Sequence, residues 1–149
     1  MITDKNLRIS EDQVITINGT TALSTNSIDL GVARDVGEGE EVFLNTVVTV
    51  VMSAGTSLEI QAVIADDAAL TSNLVVIGSS GAIPAASVVA GANFPVRIPP
   101  KVGSLGKRYL GVRYAVVGDN SAGTGKVTTD VVVDIQDGKK FYPSGFSVS

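Results

Sequence analysis

The chain holds no histidine and no cysteine, so its chemical potential rests on serines, carboxylates and lysines. That removes the usual general base, the thiolate nucleophile and the nitrogen and sulfur ligands of a zinc site. A serine nucleophile would need a lysine or a carboxylate beside it. Gly78-Ser79-Ser80-Gly81-Ala82 comes nearest to a nucleophile elbow, but Ala82 stands where G-x-S-x-G requires its second glycine. The stretch reads as a turn. Gly123-Thr124-Gly125-Lys126 has the look of the end of a phosphate loop. The full pattern asks for glycine five places before Gly125, where Asn120 stands, and for Ser or Thr after the lysine, where Val127 stands. A strand-like run follows where a helix is needed, which excludes the motif.

Paired carboxylates leave two further options. Asp134 and Asp137 could serve glycoside chemistry, yet only 5% of the residues are aromatic and able to stack on a sugar. Asp35, Glu38, Glu40 and Glu41 lie in a Gly- and acid-rich stretch over residues 32–41, but their spacing fits no calcium loop. That stretch reads as a solvated loop. The expectation is a protein that is not an enzyme and carries no cofactor or metal, with a small carboxylate hydrolase as the third-ranked alternative. Lys139-Lys140-Phe141-Tyr142 is the one local cluster of charge and aromatic area. Such residues anchor interfaces; the alternative is that Phe141 and Tyr142 close the end of a core beneath exposed lysines.

The elements that must position these residues are strands. In Arg108 to Val117, apolar side chains fall at every second place: Leu110, Val112, Tyr114 and Val116. Val127, Thr129, Val131, Val133 and Ile135 repeat the period, beyond a loop of turn residues from Gly118 to Gly125. A period of two puts one face on a core and the other in water. Leu58, Ile60, Ala62 and Ile64 alternate in the same way. The β-branched run from Val42 to Met52 alternates poorly, which suits a strand covered on both faces. Leu74-Val75-Val76-Ile77 predicts a buried strand stopped at Gly78. Residues 83–89 read as irregular with a short helix, and residues 65–73 as one uncapped helical turn. Asn93 to Ile98 carries Pro95, which has no N–H for a ladder, so the strand lies at an edge or Pro95 faces outward. Asn18-Gly19, between Val14-Ile15-Thr16-Ile17 and Thr20-Thr21-Ala22-Leu23, predicts a hairpin. Asp137-Gly138 predicts another. Residues 1–13 have few apolar positions and read as an extended N-terminal arm, leaving residues 14–149 as a single β domain. With roughly eight to ten short strands and no long helix, that domain is a sandwich or a barrel.

Composition bounds the partners. The 149 residues suit one domain with a real core. A net charge of −4 argues against nucleic acid. The average conceals a split: residues 1–75 hold 11 acidic and 3 basic side chains, net −8, and residues 76–149 hold 4 and 8, net +4. The charged start is no signal peptide, and the longest apolar run, Val47 to Met52, is far too short to span a bilayer. The expectation is therefore a protein made in a cytoplasm, or carried out of a cell by something larger, with no membrane partner.

Several stretches, taken in order, resemble one family. They are Met1-Ile2-Thr3-Asp4-Lys5-Asn6-Leu7, Asn26 to Gly31 with Arg34-Asp35 and Gly37-Glu38-Gly39, Gly78 to Pro84, Lys107 to Tyr114, and Asp134 to Tyr142. Together they are similar to the capsid cement (decoration) proteins of short-tailed bacteriophages. No single motif is specific; the ordered set, running over nearly the whole chain, is. The resemblance implies a jelly-roll-like antiparallel β-sandwich that self-associates into dimers or trimers on the outside of an icosahedral head and bridges major capsid subunits. It does not say which residues touch the shell. Our expected contacts are Ile2, Leu7 and Arg8 on the arm and Lys139, Lys140, Phe141 and Tyr142. A fibre or receptor-binding tip of the same architecture is the runner-up.

Overall fold

Where Val, Ile, Leu and Tyr recur at every second position, the chain forms strands. The computed structural model describes residues 4–37 and 39–133. Nine strands follow one another: β1 Arg8–Val14, β2 Thr21–Leu23, β3 Ile28–Asp29, β4 Val42–Val50, β5 Ser57–Ala65, β6 Val75–Pro84, β7 Asn93–Ile98, β8 Tyr109–Val117 and β9 Lys126–Val132. The described helical structure is limited to three-residue 3-10 turns at Lys5–Leu7, Ala85–Ser87 and Gly103–Leu105.

All pairings are antiparallel. One sheet runs β1-β9-β4-β7 and the other β2-β8-β5-β6, with β3 also on β8. β2 and β3 meet successive parts of β8, so together they occupy one strand position. Counted that way the pairs nest: β1 with β9, β2/β3 with β8, β4 with β7, β5 with β6. That nesting, folded over into two sheets, is a jelly roll.

The alternating positions fill the space between the sheets. Leu58, Ile60, Ala62 and Ile64 of β5 and Leu110, Val112, Tyr114 and Val116 of β8 are all buried, as their period predicts. Ile9, Leu44, Val48, Val96, Ile98 and Val127 face them from the other sheet. Each such side chain stabilises the fold by about 1.5–3 kcal/mol through removal from water. Tyr114 spans the core. Its hydroxyl lies 2.9 Å from Ser10 Oγ on β1 and 2.7 Å from Thr129 Oγ1 on β9, which in turn lies 2.7 Å from Thr46 Oγ1 on β4. Two strands of one sheet thus satisfy a single polar group of the other, and a third joins the chain through Thr46. Burial pushes the Tyr114 phenol up to about 12. Pro95 sits on the edge strand β7, as expected.

Four local expectations need correction. Residues 8–13 of the expected arm belong to β1, paired with β9, and Ile9 is fully buried; a single inward isoleucine is too weak a period to announce a strand. Asn18-Gly19 forms no hairpin. Gly19 has the expected positive φ (53°), but β1 pairs with β9 and β2 with β8, so the turn passes the chain between sheets. Gly78 to Gly81 does not stop a strand. β6 runs through it with a bulge opposite Glu59 to Gln61, Gly81 adopts φ +70°, and a Cβ on Gly78 would lie 2.7 Å from the Arg97 carbonyl oxygen of β7. Residues 66–74 form a turn that is capped after all: the Asp67 carboxylate accepts from the N–H groups of Thr71 and Ser72, both at 2.8 Å. The turn drives Leu70 against Val63 and Ala65 on the outer face of β5. The Asp137-Gly138 turn lies outside the described residues.

Candidate interaction surface

Several of the described residues singled out for chemistry make structural contacts. Ser79 donates to Glu59 Oε1 at 2.5 Å, and Gln61 Nε2 donates to the same oxygen at 2.9 Å. These hydrogen bonds hold the Glu59 carboxyl below its ordinary range. A carboxylate so stabilised is a poor base for a serine proton. Ser80 Oγ receives the Ile60 N–H at 3.0 Å and belongs to the bulge. Gly123 to Lys126 leads straight into β9, so no helix N-terminus waits for a phosphate. Asp35, in the acidic loop, accepts from the Gly103 N–H at 2.8 Å. Among the described residues no three acidic side chains converge on a metal position, and no helix is long and apolar enough to cross a membrane. Asp134, Asp137 and Glu38 lie outside the described residues.

Of the expected contacts, Leu7 and Arg8 are described; Ile2, Lys139, Lys140, Phe141 and Tyr142 lie outside the described residues. Leu7 is exposed. Arg8 is not a free cation. Its Nε donates to Asp130 Oδ1 and its guanidinium to Glu11 Oε1, each at 2.9 Å. Arg8 neutralises an almost buried carboxylate on β9 and fastens the first strand to the last.

What the fold assembles instead is two chemically different ends. The antiparallel order brings the connections 15–20, 51–56, 85–92 and 118–125 to one end. The connections 30–41, 66–74 and 99–108 lie at the other, with the turn that precedes β1. The second end is crowded with charge. Arg108 grips Asp29 through two 2.6 Å hydrogen bonds, which lower the Asp29 carboxyl to about 2, and Lys107 pairs with Asp66 at 3.0 Å. At the first end the four loops contain one charged residue, Asp119, which is exposed; its carboxylate accepts from the Ser121 N–H and hydroxyl, and these hydrogen bonds hold it below its ordinary range as an anion. Lys126, at the start of β9, stands on the rim. Both ends expose large apolar side chains, so the contrast is one of charge. At the first, charge-poor end they are Val14, Val51, Val89 and Val117, between 41% and 57% exposed.

The loops at this end are laced together. Asn120 is fully buried. Its Nδ2 donates to the carbonyls of Ile15 and Thr124, both at 3.0 Å, and its Oδ1 accepts from the Ala54 N–H at 3.1 Å. The Asn120 N–H itself binds the Ile17 carbonyl. One side chain therefore ties three connections to each other. The fourth is tied in by Met52 N–H to Val88 O and Ala85 N–H to Thr56 O. Glycine is needed where these loops press together: a Cβ on Gly125 would lie 2.8 Å from Ile15 Cγ1, and one on Gly123 would overlap Asn120 Oδ1. In the sequence, Asn120 stands out only as the residue that spoils a phosphate loop. A polar residue rich in hydrogen-bonding groups within a glycine cluster is the signal, but Ile15 and Ala54, two of its three partners, are remote and cannot be read from it.

A model of the protein family described as Bbp16 matches residues 9–131, which is most of the chain. A search of curated proteins gives no match.

Proposed function

This chain belongs to the Bbp16 family, and from that starting point we propose that it is a structural cement protein. It binds the outer surface of an icosahedral bacteriophage head and stabilises it by bridging major capsid subunits. One observation carries the reading. The resemblance to cement proteins implies a jelly roll, and the described strands have jelly-roll order over the region that the family match covers. The laced loops add to it: surfaces held rigid before binding lose little conformational entropy on docking. On this reading the protein is made in the host bacterial cytoplasm, acts on the virion exterior as a small homo-oligomer, and needs no cofactor. Its mechanism is mass action. A protein that binds only the assembled shell lowers the free energy of that state, and repetition over the lattice multiplies a modest contact.

Heads lacking the protein, challenged by heat or osmotic shock with and without purified chain, test this. Rupture should shift to higher temperature as sites saturate. Identical rupture curves would end the cement reading.

A further inference from the structure

We propose that Asn18 is a self-modifying site: its side-chain amide is lost to attack by the Gly19 nitrogen, at a rate set by one hydrogen bond to the 118–125 connection. This goes beyond the cement reading and does not depend on it.

Asn18 is the only asparagine of the chain that is followed by glycine. Glycine puts no side chain beside its own nitrogen, and a Cβ built on Gly19 would meet nothing within 4 Å. Asn18 is exposed, and its side chain makes no hydrogen bond among the described residues. The reacting groups are thus adjacent and unhindered, but the backbone restrains them. Asn18 pairs with Asp119 in an isolated antiparallel bridge. Two bonds make the bridge: Gly19 N–H to Gly118 O at 3.0 Å and Asn120 N–H to Ile17 O at 3.1 Å. The first occupies the nitrogen that must attack. The 15–20 connection therefore has to part from 118–125 before the reaction proceeds. That is a local opening, which costs less than unfolding the whole domain.

The step balances with water alone. The Gly19 nitrogen loses its proton and bonds to Asn18 Cγ, closing a cyclic imide. The bond from Cγ to Nδ2 breaks, and the nitrogen leaves with that proton as ammonia. Water then opens the imide at either carbonyl. One product is aspartate; the other is isoaspartate, in which the main chain runs through Cγ. The bridge gives both a consequence. Its bonds flank the Asn18–Asp119 pair, which makes it the closely spaced kind of antiparallel pair, with Cα atoms about 4.5 Å apart. A carboxylate formed at position 18 faces Asp119, which Ser121 holds as an anion. Like charges directly opposite are destabilising. Isoaspartate also lengthens the main chain by one atom and shifts the register. Either product loosens the tie between the two connections, and the change runs one way, so the loop end slackens as the molecule ages.

To test this, purified full chain is incubated at mildly alkaline pH, folded or unfolded in urea. Position 18 is followed by peptide mass mapping, with Asn18→Gln as the control that assigns the signal. Both samples should convert, the folded one between about tenfold and a thousandfold more slowly. Equal rates would show that Gly118 restrains nothing. No conversion of the folded chain once the unfolded control is exhausted would show that the bridge opens only with the whole domain. Either result overturns the proposal. Asn18→Asp, made directly, reads the consequence. Its Tm should fall by about 1–4 °C near neutral pH, and by clearly less in an Asp119→Asn background. Melting of aged against fresh wild type gives the same reading without a variant. An equal fall in both backgrounds, or aged chain melting as fresh chain does, would refute the like-charge contact.

Discussion

Replacing Asn120 by alanine tests whether one buried amide holds the loops of the charge-poor end together. The side chain makes three hydrogen bonds, each with a net worth of about 1 kcal/mol. Two of its partners keep a second donor: the Ile15 carbonyl also accepts from the Ile17 N–H at 3.0 Å, and the Thr124 carbonyl from the Ser53 N–H at 3.3 Å. The Ala54 N–H is the group deprived by the change, and an unsatisfied donor costs about 1–3 kcal/mol. The total is about 3 kcal/mol. For a chain of this size that corresponds to a fall of about 6–12 °C in Tm. Urea denaturation with an unchanged m-value should give the same free energy. Asn120→Asp sharpens the test. It keeps an acceptor, loses both donors, and sets a carboxylate against two carbonyls. Burial raises such a carboxyl above its ordinary pKa of about 3.9, so the folded state holds its proton to higher pH than the unfolded chain. The aspartate variant should therefore lose stability progressively as pH rises above about 4, relative to the alanine variant. A cost below about 1 kcal/mol for alanine, or parallel pH profiles for the two variants, would refute the view of Asn120 as the tie between these loops.

Other expectations concern the core and the charged end. Tyr114→Phe leaves Ser10 and Thr129 without their shared partner and should cost about 1–2 kcal/mol in urea denaturation. The wild-type phenol, raised to about 12 by burial, stays neutral while the unfolded chain ionises near 10. Its share of stability is thus complete below pH 10 and lost as pH rises towards 12, which melting across that range should record. Asp29, lowered to about 2 by the Arg108 hydrogen bonds and the Gly31 N–H, has the opposite sign: its contribution is present above its ordinary pKa and lost as pH falls towards 2. A carboxyl NMR titration should show that depressed value, and Arg108→Gln should return it towards normal. Gly78→Val places a Cβ against the Arg97 carbonyl and should destabilise by about 1–3 kcal/mol; a neutral result by thermal melting would mean that β6 and β7 part more easily than their spacing suggests.

Strands that bury every second residue announced themselves. β5 and β8 were legible because all four inward positions in each are large or aliphatic, and Pro95 marked an edge because a missing N–H has no substitute. What failed was pairing. Asn18-Gly19 reports a change of direction, and nothing local says that the chain leaves for another sheet. Gly78 to Gly81 carries turn composition because the backbone of β7 leaves no room for a side chain at residue 78, a cause lying twenty residues away. Arg8 was expected to face a partner, but its counter-ion is Asp130, at the far end of the described chain. The candidate surface suffered most. Asn120 works through residues 15, 54 and 124, and the contrast between the ends emerges only once topology sorts the loops.

The place of β9 has a consequence for biosynthesis. It lies between β1 and β4, so a sheet whose first strand leaves the ribosome early stays split until the last described strand arrives. Ile9 and Tyr114 cannot be sealed from water, nor Arg8 find Asp130 across 122 residues of sequence, in a chain cut before Lys126. Closing so long a loop is slow, and truncated products expose an open seam that proteases and chaperones recognise. Synthesis thereby filters its own output, and the folded population is enriched in intact molecules.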